Sequence, residues 1–284
     1  MKLESMELLI ATNGFKGSWP AIEYGAWFAQ SMRMKITLLG VTEKLNPASI
    51  DDHHPLEDIF ESAISLFKDR DVEYKLEVQN GEAENVIPEK AKHGDIITVI
   101  SPLGRPQVKR FVTGRSIRPL MEKIESPIIY VPQAQVPVKK MLVCIGGLGY
   151  AVSVESLAFK TAAVGNTDVT IMHVVPPTDL DYPSSREVQA HVDDLIATDT
   201  LPGRNLRKAL ELAKGVGLDA KAIVREGNVV EQILTEVKVG DYDMICMGSS
   251  YSAHSLRQLY TPNITAEIAE LVHCPVMTAR YKPS

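Results

Sequence analysis

The chain contains the same sequence pattern twice, and this duplication restricts the architectures it can adopt. The first copy opens with the apolar run LLIATNG at residues 8–14, and the second opens with MLVCIGG at residues 141–147. Each copy closes on a proline before an apolar segment, Pro127 and Pro275, and the longer second copy has an insertion between its second and third strands. A repeat of this length predicts duplicated domains rather than a solenoid of small units.

Each copy alternates short apolar runs with amphipathic stretches, which is typical of a parallel sheet covered by helices on both faces. Ser18, just before Pro20, is predicted to cap the first helix. In the first copy we predict strands near residues 7–12, 35–41, 73–79, 95–100 and 127–131, and helices near 19–32, 56–69, 82–93 and 114–125. In the second copy we predict strands near 141–145, 168–175, 219–225, 243–248 and 275–280, and helices near 151–164, 186–215, 228–239 and 263–272.

The length of 284 residues and an apolar content of 45% fit two globular domains, each large enough for its own core. Residues 132–137, PQAQVP, form a short uncharged junction, so we place the domains at residues 1–136 and 137–284. A proline-rich junction this short predicts that the two domains pack against each other.

Composition argues against several classes of protein. A net charge of −6 argues against general nucleic-acid binding, and no apolar run approaches the roughly 20 residues of a membrane span. The chain opens without an apolar signal core, and its cysteines (Cys144, Cys246 and Cys274) lack CxxC spacing, so we expect reduced structural cysteines and a cytoplasmic location. The adjacent His53 and His54 are interpreted as part of a polar surface loop, and no metal site is expected.

The loop after the fourth predicted strand carries the clearest signal for a ligand. Ligands of open parallel sheets bind beyond the carboxyl ends of the strands, where the chain order reverses. The segment SPLGRPQVKRFVTGRS at residues 101–116 places two glycines and a helix start there, and both features suit phosphate oxygens. Five cations surround it in an otherwise acidic chain: Arg105, Lys109, Arg110, Arg115 and Arg118. From the residues alone, a glycine turn with a solvated basic rim remains an equal alternative.

These segments resemble the universal stress proteins, the UspA family, in a tandem two-domain form. Nucleotide-binding members of that family have Gly-x2-Gly-x9-Gly-Ser/Thr after the fourth strand and an aspartate after the first. Gly104 and Gly114 match the spacing of the second and third glycines. The resemblance implies two tandem five-stranded parallel-sheet α/β domains of the adenine-nucleotide α-hydrolase-like type, related by a pseudo-two-fold axis.

The family's ligand residues carry over to the first domain with three departures. Ser101 replaces the first glycine, and Arg115 followed by Ser116 replaces the Ser/Thr. Asn13 replaces the aspartate and keeps its shape without its charge. The resemblance implies binding of ATP or AMP in the first domain without a metal site. The implied contacts are Thr12, Asn13, Gly14, Val41, Ser101, Gly104, Arg105, Gly114, Arg115 and Ser116.

The second domain departs further from the family's pattern. Tyr251 occupies the place of the second glycine, Pro262 lies where Gly-Ser is expected, and Gly146 replaces the aspartate. A tyrosine ring would crowd a tightly wrapped phosphate, and proline lacks the N–H that donates to one. We therefore expect this domain to be structural, or to bind a ligand other than ATP.

The resemblance implies a stress-response sensor or regulator rather than a metabolic enzyme. The sequence has no nucleophile elbow, Walker lysine or HExxH segment, so no catalytic residue is predicted. Two alternatives remain open: a scaffold for protein contact without nucleotide and, ranked last, a slow ATPase. The expected partners are an adenine nucleotide and a regulatory protein that the sequence does not identify, and homodimerisation is left open.

Overall fold

The computed structural model describes residues 6–42, 55–92, 95–102, 117–146, 152–175, 192–249 and 264–280. The chain divides into two compact units. The first comprises Met1–Pro137 with Val272–Val276, and the second comprises Val138–Leu271 with Met277–Ser284.

The first unit contains a five-stranded sheet in the order β3-β2-β1-β4-β5. Each strand runs parallel to its neighbours, which confirms the predicted fold class. The strands are β1 Glu7–Thr12, β2 Lys35–Thr42, β3 Tyr74–Asn80, β4 Ile96–Ile100 and β5 Ile128–Tyr130. The helices of the described part are α1 Trp19–Met32, α2 Pro55–Asp69, α3 Ala83–Lys90 and α4 Arg118–Lys123, and a 3-10 turn at Lys16–Ser18 precedes α1.

The central strands are buried on both faces because helices cover both sides of the sheet. In β1 the side chains of Leu8, Leu9 and Ile10 are at most 1% exposed, and every residue of β4 is buried. Strand β3 lies at the edge, where Leu76 and Val78 remain exposed. Apolar runs without polar alternation therefore predicted the central strands correctly.

The strand order of the second unit is β10-β9-β6-β7-β8, which matches the first unit's order when that is read in reverse, β5-β4-β1-β2-β3. Asp243, next to the start of β9, accepts hydrogen bonds through Oδ2 from the backbone N–H groups of Lys139 (2.8 Å) and Lys140 (2.9 Å), at the start of β6. The strands are β6 Lys140–Ile145, β7 Asp168–Val175, β8 Lys221–Glu226, β9 Met244–Ser249 and β10 Val276–Arg280. Its described helices are α5 Val152–Gly165, α6 Val192–Ala197, α7 Leu201–Gly215, α8 Val229–Gly240 and α9 Ile264–Leu271.

The single helix predicted over residues 186–215 is wrong, because α6 and α7 are separate helices divided at residues 198–200. Thr200 caps α7 by accepting a hydrogen bond from the Gly203 N–H at 3.3 Å. Pro202, in the first turn of α7, lacks the N–H that a continuous helix would need. The part of the predicted helix at 186–191 lies outside the described residues.

The prediction that the Ser18 side chain caps the first helix is also wrong. Ser18 occupies the N-cap position of α1, but its side chain makes no capping hydrogen bond. Its backbone already has helical dihedral angles because the 3-10 turn runs directly into α1. The hydroxyl donates instead to the Phe15 carbonyl at 2.7 Å.

The prediction of reduced structural cysteines is confirmed. Cys144, Cys246 and Cys274 are all buried and none forms a disulfide. His173, near the end of β7, is 3% exposed and its Nδ1 lies 3.0 Å from the Ile145 carbonyl oxygen, so it is a packed strand-end histidine. Within the ranges given above, no helix combines the length and the apolar character needed to cross a membrane.

Candidate functional site

The predicted contacts that the structure describes gather at the carboxyl edge of the first unit's sheet. Thr12 is the last residue of β1, Val41 lies one residue before the end of β2, and Ser101 follows β4 directly. Strands β2 and β4 flank β1, and the register pairs Thr12 with Gly40. The chain order therefore reverses beside Thr12, at the place where open parallel sheets bind their ligands. The remaining predicted contacts lie outside the described residues: Gly104, Arg105, Gly114, Arg115 and Ser116.

The turn after β1 is held by side-chain hydroxyl and amide groups. The Gly14 N–H donates to Thr12 Oγ1 at 3.2 Å, and the Phe15 N–H donates to Asn13 Oδ1 at 3.4 Å. Thr12 Oγ1 also lies 2.6 Å from Ser18 Oγ. Because the Ser18 hydroxyl donates to the Phe15 carbonyl, the proton between these two hydroxyls belongs to Thr12. This link was not predicted from the sequence, although the two hydroxyl residues that flank the glycine turn could have indicated it.

Gly14 is required by its conformation and by its packing. Its φ is +83°, in the left-handed region that side chains disfavour. A β-carbon at this position would lie 2.8 Å from the Leu56 backbone nitrogen and 2.9 Å from the Pro55 carbonyl carbon. The start of α2 therefore packs directly on this turn, and the glycine has a structural reason independent of any ligand.

Ser101 and Val41 present little side-chain surface. Ser101 is 1% exposed and its hydroxyl donates to the Val131 carbonyl at 2.8 Å, which joins the end of β4 to the residue after β5. Val41 is 2% exposed. Of the five described contacts, only Asn13 and Gly14 are partly exposed. A ligand at this edge would therefore meet the turn at residues 13–14 and the backbone at the ends of β2 and β4.

Lys16 adds a positive charge to this turn, and the sequence analysis did not single it out. It is exposed, belongs to the 3-10 turn between β1 and α1, and forms no ion pair with any described residue. Its position in the sequence, three residues after Asn13, could have indicated it. A cation this close to the carboxyl edge suits an anionic ligand.

The corresponding edge of the second unit is built differently. Gly146, which follows β6, is exposed, and a β-carbon there would meet no atom of a described residue within 4 Å. Its carbonyl accepts a hydrogen bond from Asn205 Nδ2 at 3.3 Å. His173 binds the preceding carbonyl, that of Ile145. The side chains of His173 and Asn205 thus bind the backbone carbonyl groups at the end of β6. Tyr251 and Pro262 lie outside the described residues.

Two titratable groups with perturbed pKa values lie in the second unit. Burial raises the pKa of Glu155 on α5 to about 7, against a weaker opposing effect of the Lys208 ammonium. Burial also raises the pKa of Tyr242 to about 12, and its hydroxyl donates to Glu236 Oε1 at 2.9 Å. The other oxygen of Glu236 accepts from the Arg225 guanidinium. In the described ranges, no three His, Cys, Asp or Glu side chains are grouped so that they could hold a metal ion.

A sequence model of the universal stress protein family matches residues 137–280, just over half of the chain. A solved universal stress protein from Archaeoglobus fulgidus is 15% identical, with a TM-score of 0.67 over 98% of this chain and 97% of its own. A functionally unknown protein from Pseudomonas aeruginosa is 12% identical, with a TM-score of 0.64 over 98% of this chain and 93% of its own.

A universal stress protein in complex with cAMP is 17% identical, with a TM-score of 0.41 over 51% of this chain and 99% of its own. Comparison with curated protein sequences gave no match. The two full-length structural likenesses show the α/β fold of both units.

Proposed function

Because the chain belongs to the universal stress protein family, we propose that it is a cytoplasmic stress-response regulator that binds an adenine nucleotide, ATP or AMP, in residues 1–136. The observation that carries this proposal is the position of the Asn13–Gly14 turn. It follows β1 at the carboxyl edge of the sheet, where β2 and β4 flank β1 and the chain order reverses. In this family the residue after the first strand contacts adenine or ribose, and Asn13 occupies that place.

The chemistry of the turn supports a nucleotide better than a purely apolar ligand. Asn13 offers an amide that can both donate and accept, which suits a base edge or a ribose hydroxyl. Lys16 supplies a cation on the same turn. Gly104 and Gly114 of the proposed phosphate loop, which have the family's glycine spacing, follow β4 in the sequence. The phosphates would lie against that loop, with Arg105, Arg115 and Ser116 as further contacts.

The direct experiment is mass spectrometry of any ligand released from the purified full chain, followed by calorimetric titration with ATP and AMP. We expect about one site per chain, because the second unit lacks the family's pattern at Gly146, Tyr251 and Pro262. Two equivalent sites would show that these departures matter less than proposed. No measurable binding at millimolar ligand would refute the nucleotide function.

Variants of the phosphate loop test where the nucleotide lies. Arg115→Glu replaces a phosphate partner with a repelling charge, and we expect roughly 10- to 150-fold weaker binding, since a charged hydrogen bond contributes about 1.5–3 kcal/mol. Gly114→Val should weaken binding similarly by blocking close approach of the backbone. The matched control is Lys68→Glu, an equal charge reversal in the last turn of α2. Equal effects of Arg115→Glu and Lys68→Glu would contradict a local phosphate contact.

Asn13→Asp tests the same site with a substitution that should strengthen nucleotide binding. Aspartate can still accept from the Phe15 N–H, so the turn should be preserved, and it restores the charge that binds a pair of ribose hydroxyls. Replacing a neutral hydrogen bond with a charged one should strengthen ATP binding about fivefold, or about 1 kcal/mol. Weaker binding of Asn13→Asp would place the ribose elsewhere.

A scaffold for protein contact is the second candidate function. The residues that favour it are Asn13, Arg115 and Tyr251, since each departs from the family's nucleotide-binding pattern. If the purified chain binds neither ATP nor AMP, this function takes the place of nucleotide binding. Co-purification with the same protein from wild-type and Arg115→Glu chains would then support it.

A further inference from the structure

A cavity of about 260 Å³ lies at the amino edge of the second unit's sheet. In the first unit, by contrast, the proposed nucleotide site lies at the carboxyl edge of the sheet. Lys140 and Asp168 open β6 and β7, Lys221 opens β8, and Tyr242 lies two residues before β9. The polar side chains that line the cavity belong to Lys140, Asp168, Thr170, Asp219, Lys221 and Tyr242.

The sheet register places the polar lining residues on one face. Lys140 pairs with Asp168, and Thr170 pairs with Lys221. Asp219 lies two residues before β8, outside the paired segment, and lines the same cavity as Asp168. Paired residues of neighbouring parallel strands point to the same face, and so do alternate residues of one strand. Both carboxylates therefore line one cavity, Asp168 from the start of β7 and Asp219 from the segment before β8.

The four charged groups of the cavity do not neutralise one another. No ion pair joins Lys140 or Lys221 to Asp168 or Asp219 among the described residues. Lys140 Nζ instead makes a long hydrogen bond of 3.4 Å to the Gly240 carbonyl, at the carboxyl end of α8. The cavity thus offers two positive and two negative groups to an incoming molecule.

Tyr242 forms a fixed aromatic wall of this cavity. Its hydroxyl donates to Glu236, which the Arg225 guanidinium holds in turn. Gly240 makes room for the ring, because a β-carbon there would lie 2.1 Å from Tyr242 Cε2. The hydroxyl stays protonated at neutral pH since burial raises the pKa of Tyr242 to about 12. The ring therefore presents an uncharged aromatic surface, which can also contact an ammonium group.

We propose that this cavity binds a small zwitterion whose ammonium and carboxylate groups are separated by a short aliphatic chain. The ammonium lies between Asp168 and Asp219, and the carboxylate lies against Lys221. Asp219 and Lys221 are two residues apart in the sequence, so their Cα atoms are at most about 7 Å apart. A volume of about 260 Å³ is below the roughly 300–1,000 Å³ of pockets for drug-sized ligands, so the ligand is small.

The test uses three probes of matched length: 5-aminopentanoate, which carries both charges, pentanoate, and pentylamine. Saturation-transfer NMR on the full chain measures their affinities without the need for tight binding. We expect 5-aminopentanoate to bind in the millimolar range, and each singly charged probe to bind about fivefold more weakly, which corresponds to about 1 kcal/mol for an exposed charge. Equal affinity for the three probes, or no saturation transfer from any of them, would overturn the proposal.

Substitutions of single charged residues test which group of the ligand each residue contacts. Asp219→Asn and Lys221→Gln change exposed side chains, and thermal unfolding of each variant checks that the fold is kept. Each should reduce the affinity for 5-aminopentanoate about fivefold, and Asp219→Asn should leave pentanoate binding equal or stronger because a repelling charge is gone. Lys214→Gln, an exposed lysine at the end of α7, is the matched control and should have no effect. Loss of affinity in the control as large as in Lys221→Gln would overturn the assignment.

Discussion

Glu155 gives the second unit a stability that depends on pH in an unusual direction. The residue is 3% exposed, and burial raises its pKa from 4.5 to about 7. A carboxyl with a higher pKa in the folded state holds its proton more tightly when folded. Its favourable contribution is therefore complete below pH 4.5 and is lost as the pH rises through 7. At about 1.4 kcal/mol per pKa unit, the loss amounts to about 3 kcal/mol.

Glu155→Gln should remove this dependence, because glutamine is neutral at every pH. Between pH 5.5 and 8 the wild-type second unit should lose about 2 kcal/mol of unfolding free energy that the variant keeps. Urea unfolding at a series of pH values measures this, with the transition of the second unit followed separately if the two units unfold in two steps. Glu211→Gln, at an exposed position of α7, is the control. Parallel pH profiles for wild type and Glu155→Gln would refute the reasoning.

Four further substitutions test packing, capping and an ion pair by chemical denaturation. Gly14→Ala should destabilise the first unit by about 2–4 kcal/mol, because Gly14 has φ +83° and lacks space for a β-carbon. Gly217 has the same φ but has space for a β-carbon, so Gly217→Ala should cost only about 1 kcal/mol. Equal losses would show that the Leu56 backbone moves aside. Asn228→Ala should cost about 1 kcal/mol, since Asn228 Oδ1 accepts from two backbone N–H groups at the start of α8. Arg225→Met should cost about 1–3 kcal/mol, because it leaves the Glu236 carboxylate without its guanidinium partner; no loss of stability would contradict the ion pair.

The sequence predicted the fold well because its strands are continuous apolar runs bounded by turn residues. The predicted strand at 168–175 coincides with β7, and the predicted helix at 19–32 coincides with α1. The prediction failed at residues 198–200, where an amphipathic pattern continues across a helix boundary set by Thr200 and Pro202. Periodicity records which residues face the core, and it does not record where one helix stops and the next begins.

The candidate site was harder to predict than the fold. Sequence position placed Thr12 and Ser101 at one edge correctly, because strand ends follow from the strand assignment. The bond between Thr12 and Ser18 and the packing of Leu56 on Gly14 depend on a tight turn and on a distant helix, respectively. The cavity beside Asp219 depends on strand register, which sequence alone did not specify, and Asp219 itself was predicted inside a strand that begins two residues later.

The hydrogen bonds of Asp243 have a consequence for synthesis of the chain on the ribosome. This carboxylate fixes the start of β6 through the N–H groups of Lys139 and Lys140, across 103 residues to Lys140. At about 5–20 residues per second, translation delivers Asp243 about 5–20 s after Lys140. During that interval the apolar strand β6 has no β9 beside it, so its unpaired edge is available to chaperones or to another nascent chain.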